Sequence, residues 1–141
     1  MIERIEYQGE LLALVLRASY EAKGVNFITP NDNSLQLGVH KHNQGHKIKP
    51  HAHKSSPKTI NEVQEVLHIE CGEVEAGFYD DNGVKVKSII LRPDDTILLI
   101  SGRHGFDILK DCKIIEVKQG PYYGAEEDKE RLNTKAKNES V

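Results

Sequence analysis

The stretch EVLHIECGEVEAGFYDDNGVKVKSIIL, residues 65–91, decides the fold that the sequence predicts. Apolar and polar residues alternate through much of it, which is the period of a β-strand with one buried face. The tripeptide Asp81-Asn82-Gly83 is typical of a tight turn between antiparallel strands. We therefore predict a strand, a turn, a second strand, the tight turn at residues 81–83 and a third strand.

Further strand patterns lie on both sides of this stretch. The segment LQLGVHKH, residues 35–42, alternates between apolar and polar residues, and two short apolar strands are predicted in residues 94–102 and 112–120. Turn signals recur about every 8–12 residues, a spacing that favours an all-β sandwich or barrel. We therefore predict an all-β barrel over residues 33–120.

The two ends of the chain have different patterns. The segment ELLALVLRASYEAKG combines strong helix formers with a glycine at a plausible helix end, and it predicts a short helix over Glu10–Lys23. The apolar run Leu11–Leu16 is equally compatible with a buried strand, and periodicity does not decide between the two. We expect residues 1–32 to pack on the barrel as a strand and a helix. The charged tail, residues 121–141, predicts a fraying helix or a disordered end.

Composition excludes several classes of protein. A chain of 141 residues predicts one domain, and its net charge of -3 with scattered Lys and Arg offers no basic surface for nucleic acid. The longest apolar run is too short to span a bilayer, and the start of the chain lacks a signal peptide pattern. The two cysteines, Cys71 and Cys112, are far apart in sequence and predict reduced thiols. We therefore expect a cytoplasmic protein with neither nucleic-acid nor membrane partners.

Three histidines and one glutamate form the candidate metal site. His51 and His53 are two residues apart, so on a strand both imidazoles lie on one face. Glu65 begins an apolar strand, where a carboxylate is costly to bury without a partner, and His104 follows another apolar strand. Three imidazoles and a carboxylate suit a divalent transition metal, namely Fe, Mn, Ni, Co or Zn. In a shifted strand register, Glu62 would replace Glu65 as the ligand.

Two further residues are candidates for catalysis. His40 shares a strand face with His42; if that face lines the barrel, His40 is placed for acid–base work, and if it faces solvent it has no such role. Tyr122 follows Gly120-Pro121, where its hydroxyl could relay protons or simply pack against neighbouring residues.

These residues resemble the first motif of the cupin family. That motif runs Gly, five residues, His-x-His, a spacer, Glu, six residues and Gly, and it matches Gly45, His51, His53, Glu65 and Gly72. The spacer between His53 and Glu65 is longer here than is usual in the family. The segment RPDDTILLISGRHGF, residues 92–106, is similar to the second motif and places His104 at the family's fourth ligand position.

The resemblance implies a double-stranded β-helix, or jelly-roll barrel, with a short N-terminal helix. It also implies a small single-domain cupin of the kind that accompanies surface-polysaccharide or sugar-nucleotide genes. The expected function is a metal-dependent isomerase or epimerase acting on a small polar metabolite such as a sugar or sugar nucleotide. Two alternatives stay open: a non-catalytic cupin that binds a small molecule or senses metal, and an Fe(II) dioxygenase. Because exposed sheet edges need partners, we also expect a homodimer, with the strand at residues 1–7 a candidate to cross between protomers.

Overall fold

The computed structural model describes residues 1–131, which form eight strands and one short helix. The strands and the helix are β1 Ile2–Tyr7, β2 Glu10–Leu16, β3 Gly24–Phe27, β4 Gly38–Lys41, β5 Glu65–Tyr79, β6 Lys85–Leu91, β7 Thr96–Leu99, β8 Arg103–Lys118 and α1 Ala125–Asp128. The predicted all-β class is confirmed, while the jelly-roll arrangement stays a prediction. Residues 132–141 of the predicted tail lie outside the described residues.

One antiparallel sheet carries most of the chain, and its strands follow the order β1-β2-β7-β5-β6. The long strand β5 pairs with β7 through its first residues and with β6 through its last, while β8 pairs with its other edge along almost the whole length. The sheet curls into a half-barrel, and β1 and β6, at opposite ends of the order, approach each other. The hairpin of β3 and β4 forms a separate two-stranded sheet.

The curl depends on a bend in β5 at Gly72. This glycine has a φ of 92°, and the pairing of β5 with β8 shifts register on both sides of it. The shift exchanges the buried face: Leu67 and Ile69 face the core before the bend, and Val74, Ala76 and Phe78 face it afterwards. The predicted turn between two strands is therefore wrong, because the glycine bends one continuous strand instead of ending it.

The core lies on the concave side of the curled sheet. Its fully buried members come from four neighbouring strands, and they include Ala13, Val15, Ile69, Val74, Ala76, Phe78, Leu91 and Ile97. Leu14 and Leu98 are buried on the opposite face of β2 and β7. These two strands are therefore covered on both faces, which explains why their sequences are continuous apolar runs.

The predicted helix over Glu10–Lys23 is wrong. Glu10–Leu16 is a central strand, hydrogen-bonded to β1 on one side and to β7 on the other. The turn before it has positive φ at Gln8 (51°) and Gly9 (80°), as a two-residue hairpin requires. Burial and pairing on both edges outweigh the helix propensity of leucine and alanine.

The predicted strand through His51 and His53 is also wrong. Between β4 and β5 the chain has no regular structure over residues 42–64, and most of that segment is exposed. Pro50 and Pro57 lack backbone N–H groups and therefore disfavour pairing in a sheet. Within residues 1–131, no helix combines the length and the apolar character needed to cross a membrane.

Candidate functional site

The two ends of the β5–β8 ladder meet on the concave side of the sheet. Glu65 begins β5 and pairs with Lys118, whereas His104 lies at the other end of the ladder, opposite Phe78. The curl nevertheless brings His104 Nε2 to 2.6 Å from Glu65 Oε1. Both side chains are mostly buried, with 29% and 16% of their surface exposed. The contact therefore depends on the bend of the β5–β8 ladder.

The Glu65–His104 pair lies in the wall of an open cavity of about 860 Å³. That volume is in the range of pockets for small molecules. Apolar side chains of Leu67 and Phe106 line part of it, and the other lining residues are mainly charged or polar. Such a cavity suits a polar ligand better than a hydrocarbon one.

Two glutamates in this wall, Glu65 and Glu116, have pKa values that are shifted in opposite directions. The hydrogen bond with His104 is the main cause that lowers the pKa of Glu65 to about 2, although burial acts in the opposite direction. The hydrogen bond with Glu65 and burial both raise the pKa of Glu116. Glu65 is therefore the stronger acid of the two and Glu116 the weaker one, and such a separation of pKa values is typical of acid–base sites.

Two basic residues, Lys118 and Arg103, contact carboxylates that line the cavity. Lys118 Nζ lies 2.9 Å from Asp128 Oδ2, and this hydrogen bond raises the pKa of Lys118. Arg103 lies 3.3 Å from Asp81 and 3.5 Å from Glu130. Because both acidic partners of Arg103 are highly exposed, these two contacts are weak, and Arg103 can exchange them for another anion.

The structure brings together two of the four predicted metal ligands. Glu65 and His104 are in contact, whereas His51 and His53 lie on the exposed segment, with ring centroids 5.5 Å apart and His51 Nδ1 2.8 Å from Lys49 O. In the part of the chain that the structure describes, no group of three or more His, Cys, Asp or Glu is arranged to hold a metal. The four-ligand set stays a prediction.

The predicted catalytic residues and the alternative ligand lie outside the cavity wall. His40 is in β4, exposed, with its ring 5.6 Å from that of His42. Tyr122 is largely exposed, and its ring lies 4.7 Å from Lys118 Nζ, so it is close to the mouth of the cavity. Glu62 is exposed on the irregular segment. Their catalytic or ligand roles also stay predictions.

Sequence reasoning missed Glu116 as a member of the site. In the strand CKIIEVK, Glu116 has the same parity as Ile114, whose side chain packs against the core. A glutamate on the apolar face of a strand was the available signal, because a carboxyl group there needs a partner. Comparisons with protein-family models, with curated proteins and with solved structures found no significant match to this chain.

Proposed function

We propose that this chain is an enzyme that binds a small polar metabolite in the cavity and moves protons between its atoms. The observation that carries the proposal is the 2.6 Å contact of Glu65 with His104, on the wall that also holds Glu116. One cavity wall then holds a carboxyl group whose pKa is lowered to about 2, an imidazole and a second carboxyl group whose pKa is raised. Groups with different proton affinities in one site are typical of general acid–base catalysis.

The geometry assigns a role to each group. With Nε2 of His104 donating to Glu65, the lone pair of a neutral ring is on Nδ1, which is the atom that can accept a proton. Glu65 orients this ring and stabilises the imidazolium that forms. Glu116, whose pKa is raised, is the group that we propose as the general acid towards a carbonyl oxygen of the substrate. Removing a proton next to a carbonyl and returning it elsewhere isomerises or epimerises a hydroxy-carbonyl compound.

The lining of the cavity contains five carboxylates, and Arg103, Lys129 and Arg131 supply the positive charge that an anionic group of a substrate would need. Arg103 lies in the cavity wall, and among residues 1–131 its guanidinium contacts two exposed carboxylates, Asp81 and Glu130. A guanidinium group can bind a phosphate group through two parallel hydrogen bonds, in bidentate geometry. Each of the two carboxylate contacts of Arg103 is a single one. A phosphorylated sugar or a sugar nucleotide would supply both the hydroxy-carbonyl chemistry and the phosphate.

As an alternative to the acid–base pair, Glu65 and His104 would hold a divalent metal, in which case His104 Nε2 would bind the metal and would not donate to Glu65. A carboxylate oxygen and an imidazole nitrogen are both common ligands of divalent transition metals. We propose that the exposed segment supplies His51 and His53 to complete the set. Bound Fe, Mn, Ni, Co or Zn would polarise substrate oxygens.

The metal proposal is tested by elemental analysis of protein purified without a chelator, followed by calorimetric titration with Mn²⁺ or Zn²⁺. We expect Glu65→Gln, His104→Ala and the double variant His51→Ala/His53→Ala each to lose stoichiometric metal. His46→Ala, an exposed histidine outside the proposed set, is the control and should retain it. Full retention in the double variant would reject the four-ligand set, and full retention in all variants would reject the metal site.

The acid–base proposal is tested by incubating hydroxy-carbonyl sugars and sugar nucleotides with the protein in D₂O. NMR should show the exchange of a C–H proton for deuterium in the true substrate. Removing a general acid or base should slow the exchange about 10²–10⁴-fold, so His104→Gln and Glu116→Gln should lose it while His46→Ala keeps it. Unchanged exchange in His104→Gln would refute the role of His104, and tight binding without exchange would indicate a binding protein.

A further inference from the structure

The segment that follows β8 forms part of the cavity wall. We call residues 124–131 the α1 segment, and its last four residues, 128–131, line the cavity together with Arg103 and His104. None of the four residues of α1 itself is buried. A helix of one turn is not stable alone, so contacts with the strands must hold the α1 segment at the cavity.

Two ion pairs of unequal strength provide these contacts. Lys118 Nζ lies 2.9 Å from Asp128 Oδ2, and the two side chains are 19% and 20% exposed. Arg103 lies 3.5 Å from Glu130 Oε1, and 84% of the Glu130 side chain is exposed. Water and salt screen an exposed pair more than a shielded one, and the longer contact is also the weaker one. The contact of Glu130 with Arg103 therefore opens first, while the Lys118–Asp128 pair keeps the segment in place.

Arg103 connects the α1 segment to the proposed site. It precedes His104 in β8, and both residues line the cavity. Its second partner, Asp81, lies 3.3 Å away and is 97% exposed. Asp81 contacts Nε of Arg103, whereas Glu130 contacts Nη2. An anion that enters the cavity would compete with these two carboxylates for the same two nitrogen atoms.

We propose that Glu130 is a built-in competitor for Arg103, and that it occupies the guanidinium group until the anionic group of a substrate replaces it. The inference rests on the proposed function, because that function places an anionic substrate in this cavity. A phosphate group can bind Nε and Nη2 at once through two parallel hydrogen bonds, whereas Glu130 makes a single contact. Phosphate therefore displaces Glu130, and Lys129 and Arg131 of the same segment add positive charge to the wall.

The competition lowers the apparent affinity of the site for anions. A ligand binds only the fraction of molecules in which Arg103 is free, and its apparent dissociation constant is the intrinsic one divided by that fraction. A single exposed ion pair favours the paired state by a factor of about 1.5–5. Removing the carboxylate of Glu130 should therefore tighten anion binding about two- to sixfold. Asp81 occupies a different nitrogen atom, so removing both carboxylates should have a larger effect.

The test is calorimetric titration of the full chain with inorganic pyrophosphate, which carries phosphate groups without the rest of a metabolite. Glu130→Gln should bind it about two- to sixfold more tightly than Glu127→Gln. Glu127→Gln is the matched control, because it removes the same charge from an exposed residue of α1 that lies outside the cavity wall. Asp81→Asn/Glu130→Gln should bind more tightly still, and Arg103→Gln should lose about tenfold or more in affinity.

The outcomes separate the role of Glu130 from the acid–base proposal. Equal affinities of Glu130→Gln and Glu127→Gln would overturn the role of Glu130. Unchanged binding in Arg103→Gln, or no binding in any variant, would overturn the anion site itself. Deuterium exchange in His104→Gln and Glu116→Gln tests the acid–base proposal separately, because it requires no pyrophosphate. If Glu130→Gln binds pyrophosphate more tightly but no substrate exchanges deuterium, the competitor is confirmed and the proton transfer is wrong.

Discussion

Replacing Gly72 with alanine tests whether the bend in β5 is built into the fold. A left-handed backbone costs about 1–2 kcal/mol for a residue with a side chain, and Gly72 has a φ of 92°. A Cβ at this position would lie 2.3 Å from the carbonyl oxygen of Asp111 and 2.5 Å from Cβ of Cys112. The carbonyl of Asp111 belongs to the backbone of β8 and cannot move without opening the ladder, which adds about 1–3 kcal/mol. We therefore expect Gly72→Ala to lower the free energy of unfolding by about 2–5 kcal/mol.

The matched control is Gly9→Ala, and the assay is urea unfolding followed by circular dichroism. Gly9 has a φ of 80° but nothing within 4 Å of a Cβ placed there, so its substitution should cost only the backbone term of about 1–2 kcal/mol. The difference between the two variants isolates the close approach of β5 to β8. If Gly72→Ala is no more destabilising than Gly9→Ala, the tight contact at the bend is refuted.

Two further predictions concern buried polar groups. Asp95 accepts a 2.7 Å hydrogen bond from Arg17 and two more from backbone N–H groups, so Asp95→Asn should cost about 2–4 kcal/mol in urea unfolding at pH 7. Burial raises the pKa of Asp95, but these hydrogen-bond donors outweigh burial and lower the pKa. The stabilisation is therefore present above the usual aspartate pKa of about 4 and is lost as the pH falls further. If the free energy of unfolding of Asp95→Asn falls with decreasing pH as steeply as that of the unmodified protein, this origin is contradicted. Gln64 is buried just before β5, and its side-chain amide exchanges hydrogen bonds of 2.8 and 3.1 Å with Asn33. Asn33→Ala should therefore lower the free energy of unfolding by about 1–3 kcal/mol in the same assay. A change below about 0.5 kcal/mol would refute the idea that this pair fixes the start of β5.

Local sequence patterns predicted the strands well where polar and apolar residues alternate or turn residues are specific. The tight turn at residues 81–83 separates β5 from β6, and β7 lies in the predicted segment. The pattern over Glu10–Lys23 failed because helix propensity is a local property, whereas the pairing of β2 with β1 and β7 is not. The first turn predicted within residues 65–91 is a bend at Gly72. A sequence shows that a glycine allows unusual backbone dihedral angles, but not whether the chain turns there or continues as a bent strand.

The candidate site was predicted in part. Glu65 and His104, which the sequence singled out as ligands of one metal, are in contact, while their role as metal ligands stays a prediction. Glu116 was missed because its partner is another acid, Glu65. Two carboxyl groups form a hydrogen bond only when one of them is protonated, and the sequence does not show this. The segment with His51 and His53 carries too few apolar residues to specify where it lies.

The pairing of β5 with β8 has a consequence for how the chain folds. β6 and β7 lie between the two strands in the chain, so pairing β5 with β8 closes a long loop. The chain loses conformational entropy when this loop closes, before the contacts of the ladder compensate for it. Glu65 and His104 can meet only after that closure. The cavity is thus assembled by a non-local event, and early compact states would contain hairpins without a site.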